Sequence, residues 1–134
     1  MNVLVDTSMW VDHFKRRNES LVALMLRDEV LTHPMVLGEL ACGTPPAPRQ
    51  RTLDDIGLLR PATQASWDEV LVFIEQEKLF GLGCGLVDIS LLASTLMTPG
   101  ARLWTLDKRL EMLSTRFDIA FKADPSQPDQ PPLA

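Results

Sequence analysis

Four acids stand where charge is otherwise scarce. Asp6 closes the apolar run Val3-Leu4-Val5, and Asp107 closes Leu103-Trp104-Thr105-Leu106. Glu39 is the one charge between Met35 and Cys42, and Asp88 the one charge between Gly81 and Met97. Each is embedded in sequence expected to be buried or at a buried edge. There an unpaired carboxylate costs several kcal/mol. Only Asp107 has a basic neighbour, Lys108. Protonation would relieve the cost, and so would convergence on one divalent cation. Oxygen donors with no histidine nearby suit Mg2+ or Mn2+. The plainer structural alternative stays open at each position: Asp6, Asp88 and Asp107 could cap helices, and Glu39 could pair with a distant arginine.

Other chemistries are less well supplied. His13 and His33 lack metal-ligand spacing and are expected at the surface or in turns. No G-x-S-x-G elbow is present for serine chemistry. Gly81-Leu82-Gly83-Cys84-Gly85 lacks the G-K-[ST] ending of a phosphate loop and reads as a connector. Asp6-Thr7-Ser8 has no second acid two residues after the first, which weakens phosphoaspartate chemistry at Asp6 as a rival. The cluster Lys15-Arg16-Arg17 either complements a helix C-terminus or contacts phosphate. Trp10, Trp67 and Trp104 are expected in the core or an interface rather than as base-stacking platforms.

The elements that must position these acids can be read in order. Val3 to Val5 form a strand, and Ser8 is expected to cap a helix through Met9, Trp10, Val11 and Phe14. Asn18 caps a second helix through Leu21, Leu24 and Met25. Val30-Leu31-Thr32 is a strand, and Pro34 opens a helix that ends near Gly43. The prolines of Thr44-Pro45-Pro46-Ala47-Pro48 break the chain before a short helix across Leu53, Ile56, Leu58 and Leu59. Ser66 and Glu69 form a capping box for a helix that buries Trp67, Val70, Leu71 and Ile74. An apolar helix over 87–97, a turn at Pro99-Gly100, a strand over 103–106, a helix over 108–113 and an edge strand over 118–121 complete the fold. Residues 124–134 hold four of the ten prolines and little apolar content, so a disordered tail is expected after a single domain, 1–123.

This alternation predicts an α/β fold with a small, mostly parallel sheet of about four strands. Ligands of such sheets gather beyond the carboxyl ends of the strands. That puts Asp6 and Asp107 on one rim, with Asp88 at a helix start beside them and Glu39 reaching in from mid-helix.

The net charge of −5 and sequence pI of about 4.9 argue against a broad basic face for long nucleic acid. They are compatible with a carboxylate cluster neutralised by metal. No apolar run reaches the roughly 18 residues needed to span a bilayer, and no signal peptide is evident. Cys42 and Cys84, without C-x-x-C spacing, are expected as buried thiols in a reducing, cytoplasmic setting.

The pieces Val5-Asp6-Thr7-Ser8-Met9-Trp10, Gly38-Glu39-Leu40, Val87-Asp88-Ile89-Ser90-Leu91-Leu92-Ala93 and Trp104-Thr105-Leu106-Asp107-Lys108-Arg109-Leu110 occur in this order from the start of the chain to about Phe121. Together they resemble the PIN-domain ribonucleases, specifically the VapC-type toxins of bacterial toxin–antitoxin pairs. The resemblance implies a PIN-like three-layer α/β/α fold. It implies Mg2+- or Mn2+-dependent endonucleolytic cleavage of RNA by an activated water, with Asp6, Glu39, Asp88 and Asp107 as the acidic metal and catalytic positions. Ser8 and Thr105 match polar positions near the centre, and Arg16, Arg17 or Arg109 could steer RNA. It further implies a homodimer neutralised by a small antitoxin, which inserts a segment into the acidic groove and often binds operator DNA. Two rivals remain: a catalytically weak PIN-like protein-binding module, and a phosphoryl-transfer enzyme using Asp6.

Overall fold

The computed structural model describes residues 1–123; the expected tail, 124–134, lies outside the described residues. Strand β1 (Asn2–Val5) is followed by helices α1 (Thr7–Lys15) and α2 (Glu19–Leu26). Then come β2 (Val30–Thr32), α3 (Pro34–Cys42), α4 (Arg49–Gly57) and the two-residue β3 (Arg60–Pro61). Helices α5 (Trp67–Glu77) and α6 (Leu86–Met97), strand β4 (Ala101–Trp104) and α7 (Lys108–Arg116) finish the chain. The strands form one four-stranded sheet in the order β3-β2-β1-β4, and every pairing is parallel.

Successive side chains of a strand point to opposite faces of its sheet. Val3, Leu4 and Val5 are all fully buried, so helices cover both faces of β1. This is the α/β architecture expected from the sequence, with its hydrophobic run explained by two-sided burial. The register pairs Leu4 with Leu31 of β2 and with Leu103 of β4. The ends of these strands therefore stand together, and the Asp6 N–H continues the ladder by donating to the Trp104 carbonyl at 2.9 Å.

Several helix starts follow their sequence signals. The Asn18 side chain accepts from the Leu21 N–H, and Ser66 and Glu69 make the reciprocal capping box. Pro34 opens α3, and Gly43 closes it.

Other expectations need correction. Helix α1 begins two residues earlier than expected, so Asp6 is its N-cap residue and Ser8 lies inside the first turn. Trp67 and Leu71 on α5 are exposed, because its inner face is built from Val70 with Phe73 and Ile74. Trp10 and Trp104 are core residues as expected. Strand β4 ends at Trp104, before Thr105 and Leu106. Residues 118–121 make only a bridge, Leu103 to Ala120, beside β4. The sequence reading missed β3, where Pro61 sits in an edge strand that tolerates its lack of an N–H. Cys42 is exposed and Cys84 half-buried, neither in a disulfide. Among the described residues no helix is long and apolar enough to cross a membrane.

Candidate active site

Asp6 sits at the carboxyl end of the central strand β1 and is 5% exposed. It occupies the N-cap position of α1, yet its carboxylate does not cap the helix. Instead Oδ2 accepts two hydroxyl hydrogen bonds, from Ser8 Oγ and Thr105 Oγ1, each at 2.7 Å. Each hydroxyl in turn accepts a backbone N–H: Leu106 N donates to Ser8, and Asp107 N to Thr105, both at 3.0 Å. The start of α1 is thereby fastened to the loop after β4. These partners orient the carboxylate without cancelling its charge. No basic side chain pairs with Asp6 among the described residues.

The other three acids reach this rim from separate elements. Asp107 is the N-cap of α7, with Oδ1 accepting from the N–H groups of Arg109 and Leu110. Asp88, on the first turn of α6, accepts from the Gly85 N–H at 3.3 Å. Glu39, midway along α3, accepts from the Thr7 hydroxyl at 2.6 Å. Only Asp6 is buried; Asp88 is half-buried, and Glu39 and Asp107 are exposed. The expectation that all four lie in buried sequence therefore fails for two of them. Glu39 is on the outward side of α3 next to exposed Gly38, and Asp107 stands three residues beyond the end of β4.

Three of the acids nonetheless act on the fourth. Burial pushes the Asp88 carboxyl above the ordinary aspartate range, and the Gly85 N–H opposes the shift. The negative charges of Asp6, Asp107 and Glu39 all push it further up. Carboxylates from four chain segments thus share one electrostatic neighbourhood, where each makes ionisation of Asp88 harder. The Cys84 thiol is likewise held protonated, first by burial and then by Asp88 and Asp107, with Arg109 opposing.

Among the described residues no group of three or more histidine, cysteine, aspartate or glutamate side chains is placed closely enough to hold a metal ion as it stands. The carboxylates are engaged with Thr7, Gly85 and the α7 backbone instead. The donor chemistry fits a hard divalent cation: oxygen atoms only, with a mutual repulsion that a positive charge would relieve.

Beside the cluster, Arg109 lies across the glycine loop. Its Nη1 is 3.4 Å from the Gly83 carbonyl, and a Cβ on Gly83 would come within 2.8 Å of it. On the other side, a cavity of about 570 Å3 opens between α1 and α3, lined by Val11, Phe14, Lys15, Leu40 and the proline loop. Of the four acids, Glu39 belongs to its wall.

No family model matches the sequence. The ribonuclease VapC32 of Mycobacterium tuberculosis, in two strains, is 39% identical over 124 residues, which is 92% of this chain and 99% of the relative. The chain belongs to the VapC ribonuclease family. The VapC-type resemblance of the four motifs is thereby upheld, and the all-parallel four-stranded sheet agrees with the PIN-like fold it implied.

In this VapC chain, sequence reading missed three contributors. Thr7 engages Glu39, and nothing in the sequence distinguishes it from an ordinary first-turn residue. Gly83 makes room for Arg109; its positive φ of 82° was signalled only by the glycine-rich composition of the loop. His33, expected at the surface or in a turn, is buried at the end of β2, with both ring nitrogens engaged.

Proposed function

We propose that this chain is a metal-dependent endoribonuclease and the toxin of a toxin–antitoxin pair. The observation that carries the reading is the buried Asp6 carboxylate at the strand rim, held by Ser8 and Thr105, joined through Thr105 to the Asp107 backbone, and set in one electrostatic neighbourhood with Asp88 and Glu39. The relative's name, a ribonuclease, supports the choice of substrate. Asp6, Asp88 and Asp107 would hold Mg2+ or Mn2+, directly or through water, with Glu39 as ligand or as the group that orients the attacking water. When bound, such an ion polarises the scissile phosphate and lowers the pKa of a water. Ser8 and Thr105 keep the Asp6 carboxylate in one orientation while substrate binds. Glu39, exposed and tied among the described residues by the Thr7 hydroxyl, is free to turn toward the phosphodiester. Water adds in line to phosphorus as the leaving oxygen departs.

The groove beside Glu39 suits a segment of a small antitoxin: its walls are apolar and its rim carries Lys15. A homodimer in the cytoplasm belongs to the same reading, and the exposed Trp67, Leu71 and Val72 of α5 support a self-association face.

The test is a map of cellular RNA cleavage after induction of the protein, with Asp6→Asn as the control. Defined cuts that vanish in Asp6→Asn are expected. Identical cuts in the two strains, or none in either, would refute the assignment. A covalent phosphoaspartate on Asp6 would favour phosphoryl transfer instead.

A further inference from the structure

His33 follows Thr32, the last residue of β2. The β1–β2 register pairs Leu4 with Leu31, and two residues further along the chain, just past each strand end, come Asp6 and His33. A histidine thus stands on the acidic rim, and it is only 2% exposed. It is not available as an acid, a base or a ligand, because both ring nitrogens are in use. Nδ1 accepts from the Met35 N–H at 3.1 Å and caps α3. A backbone amide can only donate, so Nδ1 is unprotonated and Nε2 carries the proton. Nε2 lies 3.0 Å from Ser94 Oγ, to which it therefore donates. Ser94, fully buried midway along α6, accepts a second bond from the Ala65 N–H at 3.1 Å.

One side chain therefore ties the start of α3 to the middle of α6. Glu39 lies five residues after Pro34 on α3, and Asp88 six residues before Ser94 on α6. We propose that His33 is a positioning residue for the nuclease site, joining α3 to α6 through Met35 N and Ser94 Oγ and so setting the separation of the Glu39 and Asp88 carboxylates. The inference rests on the nuclease reading above. A purely structural cap would need only the bond from Met35. The second bond, to a serine on the other acid-bearing helix, is what gives His33 its positioning role.

The test compares His33→Asn with Ser94→Ala in the full chain. Asparagine is a good N-cap and keeps an acceptor for Met35, but is too short to reach Ser94. Ser94→Ala keeps the histidine cap and removes its partner on α6. Each is measured at a temperature where circular dichroism shows it folded. The readouts are Mn2+ affinity of the RNA-free protein by calorimetry, and kcat and KM for RNA cleavage. Both variants are expected to lose Mn2+ affinity by about 10- to 100-fold, the range for groups that orient metal ligands. Cleavage kcat should fall with KM changed by less than about twofold. The double variant should lose no more than the worse single one, since both remove the same link. Folded variants with wild-type affinity and kcat, or with only a lowered melting temperature, would overturn the proposal alone. A wild-type protein that neither binds Mn2+ nor cuts RNA would overturn the nuclease reading and this proposal with it.

Discussion

The hydroxyl of Thr105 donates to Asp6 and accepts from the Asp107 N–H, so it links two of the acids directly. Thr105→Val keeps the shape and removes both bonds. Leaving the buried Asp6 oxygen and an amide short of partners should cost about 1–3 kcal/mol, read as a lower denaturation midpoint. Cleavage should fall about 10- to 100-fold as the Asp6 carboxylate loses its orientation. Asp88 behaves in the opposite sense. Its folded pKa lies above the unfolded value, so ionising it opposes folding. That penalty is fully present above the folded pKa and disappears as pH falls toward the ordinary aspartate pKa. Asp88→Asn keeps an acceptor for Gly85 N–H but carries no charge. It should raise the melting temperature of the metal-free protein at neutral pH while abolishing cleavage. An unchanged or lower melting temperature would show that the neighbouring acids do not repel it. At this scale the acids were legible because each interrupts an apolar run. Thr7, the partner of Glu39, and His33, which joins α3 to α6, were not, since a hydroxyl or imidazole in a helix start has many ordinary uses.

At the scale of elements, the glycine loop and α7 form one unit. Gly83 has φ of +82°, and a Cβ there would meet the Arg109 guanidinium. Gly83→Ala should cost about 1–2 kcal/mol from the left-handed backbone and displace Arg109, which calorimetric unfolding and the Arg109 side-chain NMR signals would report. Helix starts with a side-chain acceptor at the right offset, such as Asn18 and Ser66, were legible from local sequence. The start of α1 was not. Ser8 looked like the cap, but the hydroxyl turns back to Asp6 across the site, a preference set by tertiary structure. The outward side of α5 was misread for a related reason. Trp67 and Leu71 fit the helical period, yet Phe73 and Phe117 pack together at 5.5 Å and fix a different inner face. Strand β3, two residues with a proline, has no periodicity to read.

For the whole molecule, a net charge of −5 is consistent with a compact acid site more than with a broad RNA-binding face. Lys15 and Arg16 at the end of α1 form no ion pair among the described residues, whereas Arg17 is bound to Glu19 at 2.7 Å. Local positive charge therefore persists at this end of α1 although the chain as a whole is acidic. The parallel sheet and its order of helices were legible because two-sided burial leaves unbroken apolar strands. The nearness of Asp6 and Asp107, joined through Thr105, was legible as a consequence of strand ends sharing a rim. Whether those acids act as one cation site is tested most directly by titrating the metal-free protein with Mn2+, alongside Asp6→Asn, Glu39→Gln, Asp88→Asn and Asp107→Asn. Saturable binding that weakens by more than about tenfold in every variant is expected. Wild-type affinity in the folded variants would contradict a shared site.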